Sequence, residues 1–538
     1  MIPGAILLLA AQIPGGSWVE ESLVEASPGE DNLGGLLTVG PEIPGERGVV
    51  LGAWRDRFAG SLYQNAIGAR SADTLRPIWS VRLFGPYDPA PSIAVITDFN
   101  LDGIDDVLVG QDELDQVVVL DGNSGLVLAT FTGDQNSEFG SEVCAIEDVN
   151  WDGVSDWAVY ARDEWGIGAS VAGVLHLHSG IDGSRVRSLY STSQSEDTGT
   201  QFSSIGDWNL DGVGDLVCLD RGRHTSMGEA IKVMSGLDGS TLHAWKVERA
   251  TPYVVGDVTG DGLSDVVAGD GAANSSSGVD RAGRLAFLPS EAAIPGWTVE
   301  GQSAREALGS SVTVVPDLDF DGRPDIATSG DSAWVQGQRE AGRVRILSSA
   351  SGESLRRIQR DSAYARFGSG LVGFDFGGVA RMVVGSRGWI PAGATGETGK
   401  IEVLRFDPML VLSAESVSAS AGGSIQLSAN LGVESAGEYA FLLATRRGVT
   451  RSEFLGVFVP LAQGPLFRQG YRSGYAQVTP QAGGFLDASG SIDFQLTLPP
   501  NSGLLAGQVL SVIAFCSPLP FLPGDGKSSY AAQVHVIP

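Results

Sequence analysis

The stretch Asp98-Phe99-Asn100-Leu101-Asp102-Gly103-Ile104-Asp105-Asp106 decides how this 538-residue chain is read. Oxygen-bearing side chains stand at positions 1, 3, 5 and 9, and the glycine at position 6 lets the backbone turn sharply among them. A loop wraps a hard divalent cation in this way. Four more stretches keep the pattern: Asp148-Val-Asn-Trp-Asp-Gly-Val-Ser-Asp156, Asp207-Trp-Asn-Leu-Asp-Gly-Val-Gly-Asp215, Asp257-Val-Thr-Gly-Asp-Gly-Leu-Ser-Asp265 and Asp317-Leu-Asp-Phe-Asp-Gly-Arg-Pro-Asp325.

The candidate metal ligands are therefore Asp98, Asn100, Asp102 and Asp106; Asp148, Asn150, Asp152 and Asp156; Asp207, Asn209, Asp211 and Asp215; Asp257, Thr259, Asp261 and Asp265; and Asp317, Asp319, Asp321 and Asp325. The carbonyl at position 7 would complete each set. Carboxylates this close repel one another without a cation, and a merely solvated acidic turn would not recur five times in register. A cage of many protein oxygens suits calcium better than magnesium, so the expected cofactor is Ca2+, about five ions per chain. An EF-hand does not fit, because position 12 is apolar (Val109, Val159) and strands flank the loop. Asp105 is read as a spare surface acid. Phe99, Trp151, Trp208 and Phe320, at positions 2 and 4, are read as packing between repeats rather than as a sticky rim.

The loops start 50 to 60 residues apart, a propeller-blade period. An apolar strand precedes each loop, as in 93–97 and 312–315, and another follows it, as in 107–109 and 265–269. A second pair of strands about a glycine-rich turn comes next, as in 116–128, 174–186, 231–242 and 344–355. Four strands per repeat make a blade. Two degenerate units, 33–52 with strands from 60 onward, and 367–385, lack the ligand set and raise the count to seven blades.

With Phe139-Gly140 and Phe367-Gly368 opening their repeats, and Leu308-Gly309 and Thr198-Gly199 at the same place, the chain resembles FG-GAP repeat proteins of the integrin α-subunit type over about residues 33–408. The resemblance implies a seven-bladed β-propeller whose loops join the first two strands of a blade on one face, with partners on the opposite face and a structural metal. Beyond Pro408 the rhythm changes. Short alternating strands at 424–428, 439–443, 492–498, 509–515 and 531–537 predict a β-sandwich over 409–538, and the segment 483–500 resembles C-terminal modules of bacterial secreted repeat proteins. The fold class expected is all-β.

The net charge of −29 argues against nucleic acid and anionic membranes as partners. Five divalent ions would bring it to about −19. Cys144, Cys218 and Cys516 are too few and scattered for a disulfide framework and read as small buried residues. Residues 1–11 form a short apolar run ending in small residues, an imperfect signal peptide with no preceding Lys or Arg, so a secreted or cell-surface location is expected. No run is long enough to span a membrane as a helix.

His176 and His178 share a strand face but have no third ligand nearby and read as core residues. Gly524-Asp-Gly-Lys-Ser528 is rejected as a phosphate loop, since Phe521 stands where the first glycine belongs. No nucleophile elbow appears. The function expected is a calcium-stabilised scaffold that binds a protein or carbohydrate partner in adhesion. The competing expectations are an extracellular polysaccharide lyase or hydrolase with an axial pocket, and a structural envelope or matrix component.

Overall fold

The computed structural model describes residues 18–406 less 26–29, 47, 59–61, 84–90, 166–171, 191–197, 221–228, 248, 291–295, 317–322, 361, 377–378 and 391–398, and beyond 406 the strand residues alone. The proposed signal segment 1–11 lies outside the described residues.

Strand β1 (Trp18–Glu25) precedes a series of four-stranded antiparallel sheets. The first is β2 (Glu30–Val39), β3 (Val49–Phe58), β4 (Leu62–Ser71) and β5 (Pro77–Leu83). The second is β6 (Ile93–Ile96), β7 (Asp106–Gln111), β8 (Gln116–Leu120) and β9 (Val127–Thr132). The third is β10 (Phe139–Ile146), β11 (Asp156–Trp165), β12 (Ala172–His178) and β13 (Arg185–Tyr190). The fourth is β14 (Thr198–Gly206), β15 (Asp215–Asp220), β16 (Ala230–Met234) and β17 (Thr241–Trp245). The fifth is β18 (Thr251–Gly256), β19 (Asp265–Asp270), β20 (Arg284–Leu288) and β21 (Trp297–Glu300). The sixth is β22 (Leu308–Val315), β23 (Asp325–Gly330), β24 (Arg343–Leu347) and β25 (Ser354–Gln359). The seventh takes β26 (Phe367–Phe376), β27 (Val379–Ser386) and β28 (Lys400–Phe406), with β1 as its outer strand. These sheets are the blades of a seven-bladed β-propeller.

Burial explains why the middle strands read as nearly unbroken apolar runs. Every residue of β15, β19 and β23 is buried, because each blade is covered on both faces by its neighbours. An outer strand such as β9 alternates instead, since it has solvent on one side. The apolar clusters accordingly straddle blade boundaries. One joins Val107, Val109 and Val118 of the second blade to Leu51 and Ile67 of the first, and another joins Val266 and Ala286 of the fifth to Val217 and Val233 of the fourth.

The ring closes in two ways. Leu33, Leu37 and Val50 of the first blade pack with Val383, Ile401 and Val403 of the seventh. In addition β1 pairs antiparallel with β28, from Trp18 opposite Phe406 to Glu25 opposite Lys400. The propeller therefore draws its last strand from upstream of residue 33, where the repeats begin in sequence. Closure by a strand from the other end of the chain satisfies the free edge of β28.

The Phe-Gly pairs mark where a blade's first strand meets the preceding blade. Phe367 N–H donates to the Ala341 carbonyl at 3.0 Å and Leu308 N–H to that of Ala282 at 3.0 Å. Thr198 pairs with Asp220 as Phe139 pairs with Ala161, so the fourth blade keeps the register without the phenylalanine.

Beyond the propeller, Leu410–Leu412, Gly423–Asn430 and Ser491–Leu498 form one sheet, while Val509–Ser517 pairs with Tyr439–Thr445 and Ala532–Ile537 in another. Cys218 is fully buried and Cys144 partly so, neither in a disulfide, and burial pushes the Cys144 thiol far up. Among the described residues no helix is long and apolar enough to cross a membrane.

Candidate metal centres

The aspartate loops join the first and second strands of the second to sixth blades, as expected. In the loop at 98 the Asp98 carboxylate accepts the amides of Asp102 at 3.0 Å and Gly103 at 2.6 Å. Asn100 Oδ1 accepts Asp102 N–H at 2.9 Å, and Asp102 Oδ1 accepts Ile104 N–H at 2.9 Å. The bonds from Gly153, Gly212 and Gly262 to Asp148, Asp207 and Asp257 repeat at 2.8 Å. Position 6 sits at φ between 84° and 90° in all four of these loops, which glycine adopts without strain. Asp317, Asp319 and Asp321 lie outside the described residues.

Position 9 has a different environment. Asp106, Asp156, Asp215, Asp265 and Asp325 are almost wholly buried. Asp106 Oδ2 accepts Phe99 N–H at 2.8 Å, while its Oδ1 accepts Gly122 N–H at 2.9 Å from the turn between β8 and β9. Asp156 bridges Val149 and Gly180, Asp215 bridges Trp208 and Gly236, and Asp265 bridges Val258 and Ser290. Asp325 accepts Ser349 N–H at 3.2 Å. The first four of these aspartates tie the two turns on one face of their blades together.

The electrostatics follow from these placements. Burial raises the carboxyl of Asp106, Asp156 and Asp265 above its ordinary range, and pushes Asp215 up to about 6, despite the amides that oppose it. At Asp257 and Asp148, both at position 1, the balance reverses. Gly262 N–H and its neighbours hold Asp257 low, and at Asp148 the amides outweigh a desolvation that pulls upward.

Among the described residues no group of three or more His, Cys, Asp and Glu side chains is drawn together as a ready metal cluster. The donor chemistry nevertheless suits a hard cation. Positions 1 and 5 supply carboxylates and position 3 an amide in the first three loops. Each oxygen engaged by one amide keeps a second lone pair. None of the aspartates in the loops at 98, 148, 207 and 257 pairs with a Lys or Arg among the described residues.

The flanking apolar positions divide. Phe99 and Trp208, at position 2, pack into blade interfaces, Phe99 edge-on to Phe131 with centroids 6.4 Å apart. Position 4 is more exposed than expected, although Trp151 still donates its Nε1–H to the Gly212 carbonyl in the next blade's loop at 3.2 Å. Leu101, Trp151 and Leu210 sit at φ near +60° at the loop tip and are 88%, 65% and 79% exposed. Phe320 lies outside the described residues. Asp105 is exposed. His176 and His178 are core residues: His176 bonds Ser188 and Glu164, both at 2.8 Å, and His178 stacks on Trp157 at 4.3 Å.

On the opposite face, the loops between the second and third strands and those between blades enclose a cavity of about 400 Å³ among the fifth, sixth and seventh blades. Arg281, Arg305, Arg339 and Arg366 line it with Trp334 and Glu340. Sequence reading missed this group, because four arginines spread over 86 positions look like ordinary surface charge. The available signal was their offset from the Ala-Gly and Leu-Gly or Phe-Gly pairs that set blade boundaries.

No family model matches the chain, and no curated protein matches it. Among solved structures it is similar to BamB from Moraxella catarrhalis, at 13% identity over 71% of this chain and 100% of that one, with a TM-score of 0.36. That likeness says nothing of partners. The propeller assignment rests on the seven sheets, and the FG-GAP resemblance on the loops and Phe-Gly pairs.

Proposed function

We propose that this protein is a secreted or cell-surface scaffold of FG-GAP type, stapled by calcium at its blade turns, which binds a protein or carbohydrate partner through the opposite face. The observation that carries the reading is the separation of the two faces. The aspartates of the loops at 98, 148, 207 and 257, which pair with no Lys or Arg among the described residues, gather on one face, and the pocket-forming loops occupy the other. Calcium bound by positions 1, 3, 5 and 9 would neutralise the loops and add to the staple that the buried aspartate already makes. The segment beyond 409, read as a β-sandwich, would space or attach the ring.

Elemental analysis of the purified chain should find close to five calcium per molecule, and a chelator should lower its thermal midpoint. A metal content near zero in millimolar calcium would remove the reading. Capture of partners from the native surface, with and without chelator, tests the scaffold role separately.

The competing reading is a polysaccharide-active enzyme, which the polar pocket away from the loops favours. Among the described residues Glu340 is the single carboxylate lining that pocket, and it is ion-paired to Arg366 at 2.7 Å. A hydrolase needs two carboxylates flanking the bond. Product release from acidic polysaccharides, absent in an Arg339 variant, would establish catalysis over binding.

A further inference from the structure

We propose that the pocket among the fifth, sixth and seventh blades binds an acidic sugar unit, with Arg281 and Arg339 holding its carboxylate. The inference rests on the binding-scaffold reading and gives that reading a ligand class.

Charge supplies the first argument. In a chain of net charge −29, this one cavity gathers four arginines. Arg366 is paired to Glu340, and Arg305 lies 3.6 Å from Asp280 with both side chains well exposed. Among the described residues no carboxylate pairs with Arg281 or Arg339. Two guanidinium groups thus face the cavity uncompensated, and a guanidinium's planar fork matches a carboxylate in two parallel hydrogen bonds.

Rigidity supplies the second. The Arg339 guanidinium lies over the rings of Trp334 and Tyr364, at 5.6 and 5.8 Å from their centroids. Cation–π contact fixes its plane, so less side-chain freedom is lost when it meets an anion. The loops are pinned to one another by backbone bonds: Ala307 N–H to Arg281 O at 3.2 Å, Tyr364 N–H to Arg339 O at 2.7 Å and Arg366 N–H to Glu340 O at 2.9 Å.

The propeller itself provides a control. The same loop device recurs between the second and third blades, where Asn136 and Glu138 take the left-handed conformation of Arg305 and Ala307, and of Tyr364 and Arg366. There the positions are held by the Asp115 carboxylate, and Glu138 is answered by Arg162 at 2.6 Å. Blade docking therefore does not require arginine. Among the described residues, the equivalent position between the second and third blades carries an acid where this pocket carries Arg366.

The aromatic rings select a sugar among anions. Trp334 and Tyr364 remain 47% and 41% exposed beside the arginines, and the C–H faces of a pyranose stack on such rings. A cavity of about 400 Å³ accepts a small unit, while the chain's overall charge repels a long polyanion such as nucleic acid.

Titration calorimetry on the full chain in calcium tests the proposal with a glucuronate-terminated disaccharide, its glucose-terminated counterpart, a sulfated disaccharide and poly-glutamate. We expect the glucuronate form to bind, more weakly as salt rises, and the glucose form to lose on the order of tenfold or more. The double substitution Arg281→Gln with Arg339→Gln should lose binding by a similar factor at an unchanged thermal midpoint, whereas Arg162→Gln should bind normally. Equal binding of the glucose form, undiminished binding by the double variant, or preference for the sulfated sugar or poly-glutamate would overturn the assignment. If the double variant still captures the partner taken from the native surface, the pocket inference fails while the scaffold reading stands. Loss of all capture by the unmodified chain would remove the scaffold reading itself.

Discussion

Asp156 accepts the Gly180 amide at 2.8 Å from the far turn of its own blade, and with its other oxygen accepts the Val149 amide at 2.9 Å inside its loop. One buried carboxylate therefore links two hairpins without any cation. The loop motif has two parts in physical terms: positions 1, 3 and 5 at an exposed tip, and position 9 as an internal staple.

That division makes Asp156→Asn and Asp152→Asn different experiments. Asparagine at 156 has one acceptor oxygen where two are needed and turns an N–H₂ toward an amide donor. We expect a loss of about 2–4 kcal/mol in denaturant unfolding, with calcium or without it. Asp152 is exposed, and its asparagine can still accept the Val154 amide. Its replacement should change calcium-free stability by less than about 0.5 kcal/mol while weakening calcium binding.

Removal of residues 1–25 should disable ring closure. Without β1 the edge of β28 is left unpaired along 400–406, a template for association with another chain. The truncated protein should melt at lower temperature and form higher-order species in light scattering. A monomer of normal midpoint would show that the apolar contact between the first and seventh blades closes the ring unaided.

His178 sets a pH dependence. Burial against Trp157 lowers its pKa from 6.5 to about 4, and its Nδ1 meets the Gly183 carbonyl at 2.8 Å. The unfolded chain thus binds a proton that the folded chain refuses. This contribution is fully present above about pH 6.5 and is lost as pH falls toward about 4, by roughly 3 kcal/mol in all. His178→Phe should flatten that part of the stability profile, and an unchanged profile would contradict the assignment.

Gly183 lies at φ +70° in the turn between β12 and β13, and a Cβ there would stand 2.0 Å from Phe131 Cζ of the preceding blade. Gly183→Ala should cost about 2–4 kcal/mol through strain and overlap. Pairing it with Phe131→Leu should recover part of that loss, and strict additivity in the double mutant would place the cost in the backbone alone.

The repeat and its strands were legible because each rests on local chemistry. Glycine at φ near +90°, oxygen-bearing side chains two residues apart and valine-rich runs such as β7 each act within about ten positions of the chain. Hydrophobic periodicity therefore sufficed to place the hairpins and, by counting, the number of blades. What the tertiary structure decided are relationships between distant residues. β1 belongs to the seventh blade, although some 340 residues separate it from β26. The position 9 aspartates answer amides 16 to 25 residues away, so their burial is invisible in the nine-residue motif. Leu101 and Leu210 point outward because a left-handed backbone at position 4 turns them from the interface that their apolarity suggested. The arginines around the pocket meet only once the blades close, since four loops, two within blades and two between them, supply them. Local stereochemistry wrote the blades into the sequence; the curvature of the ring brought the distant charges together.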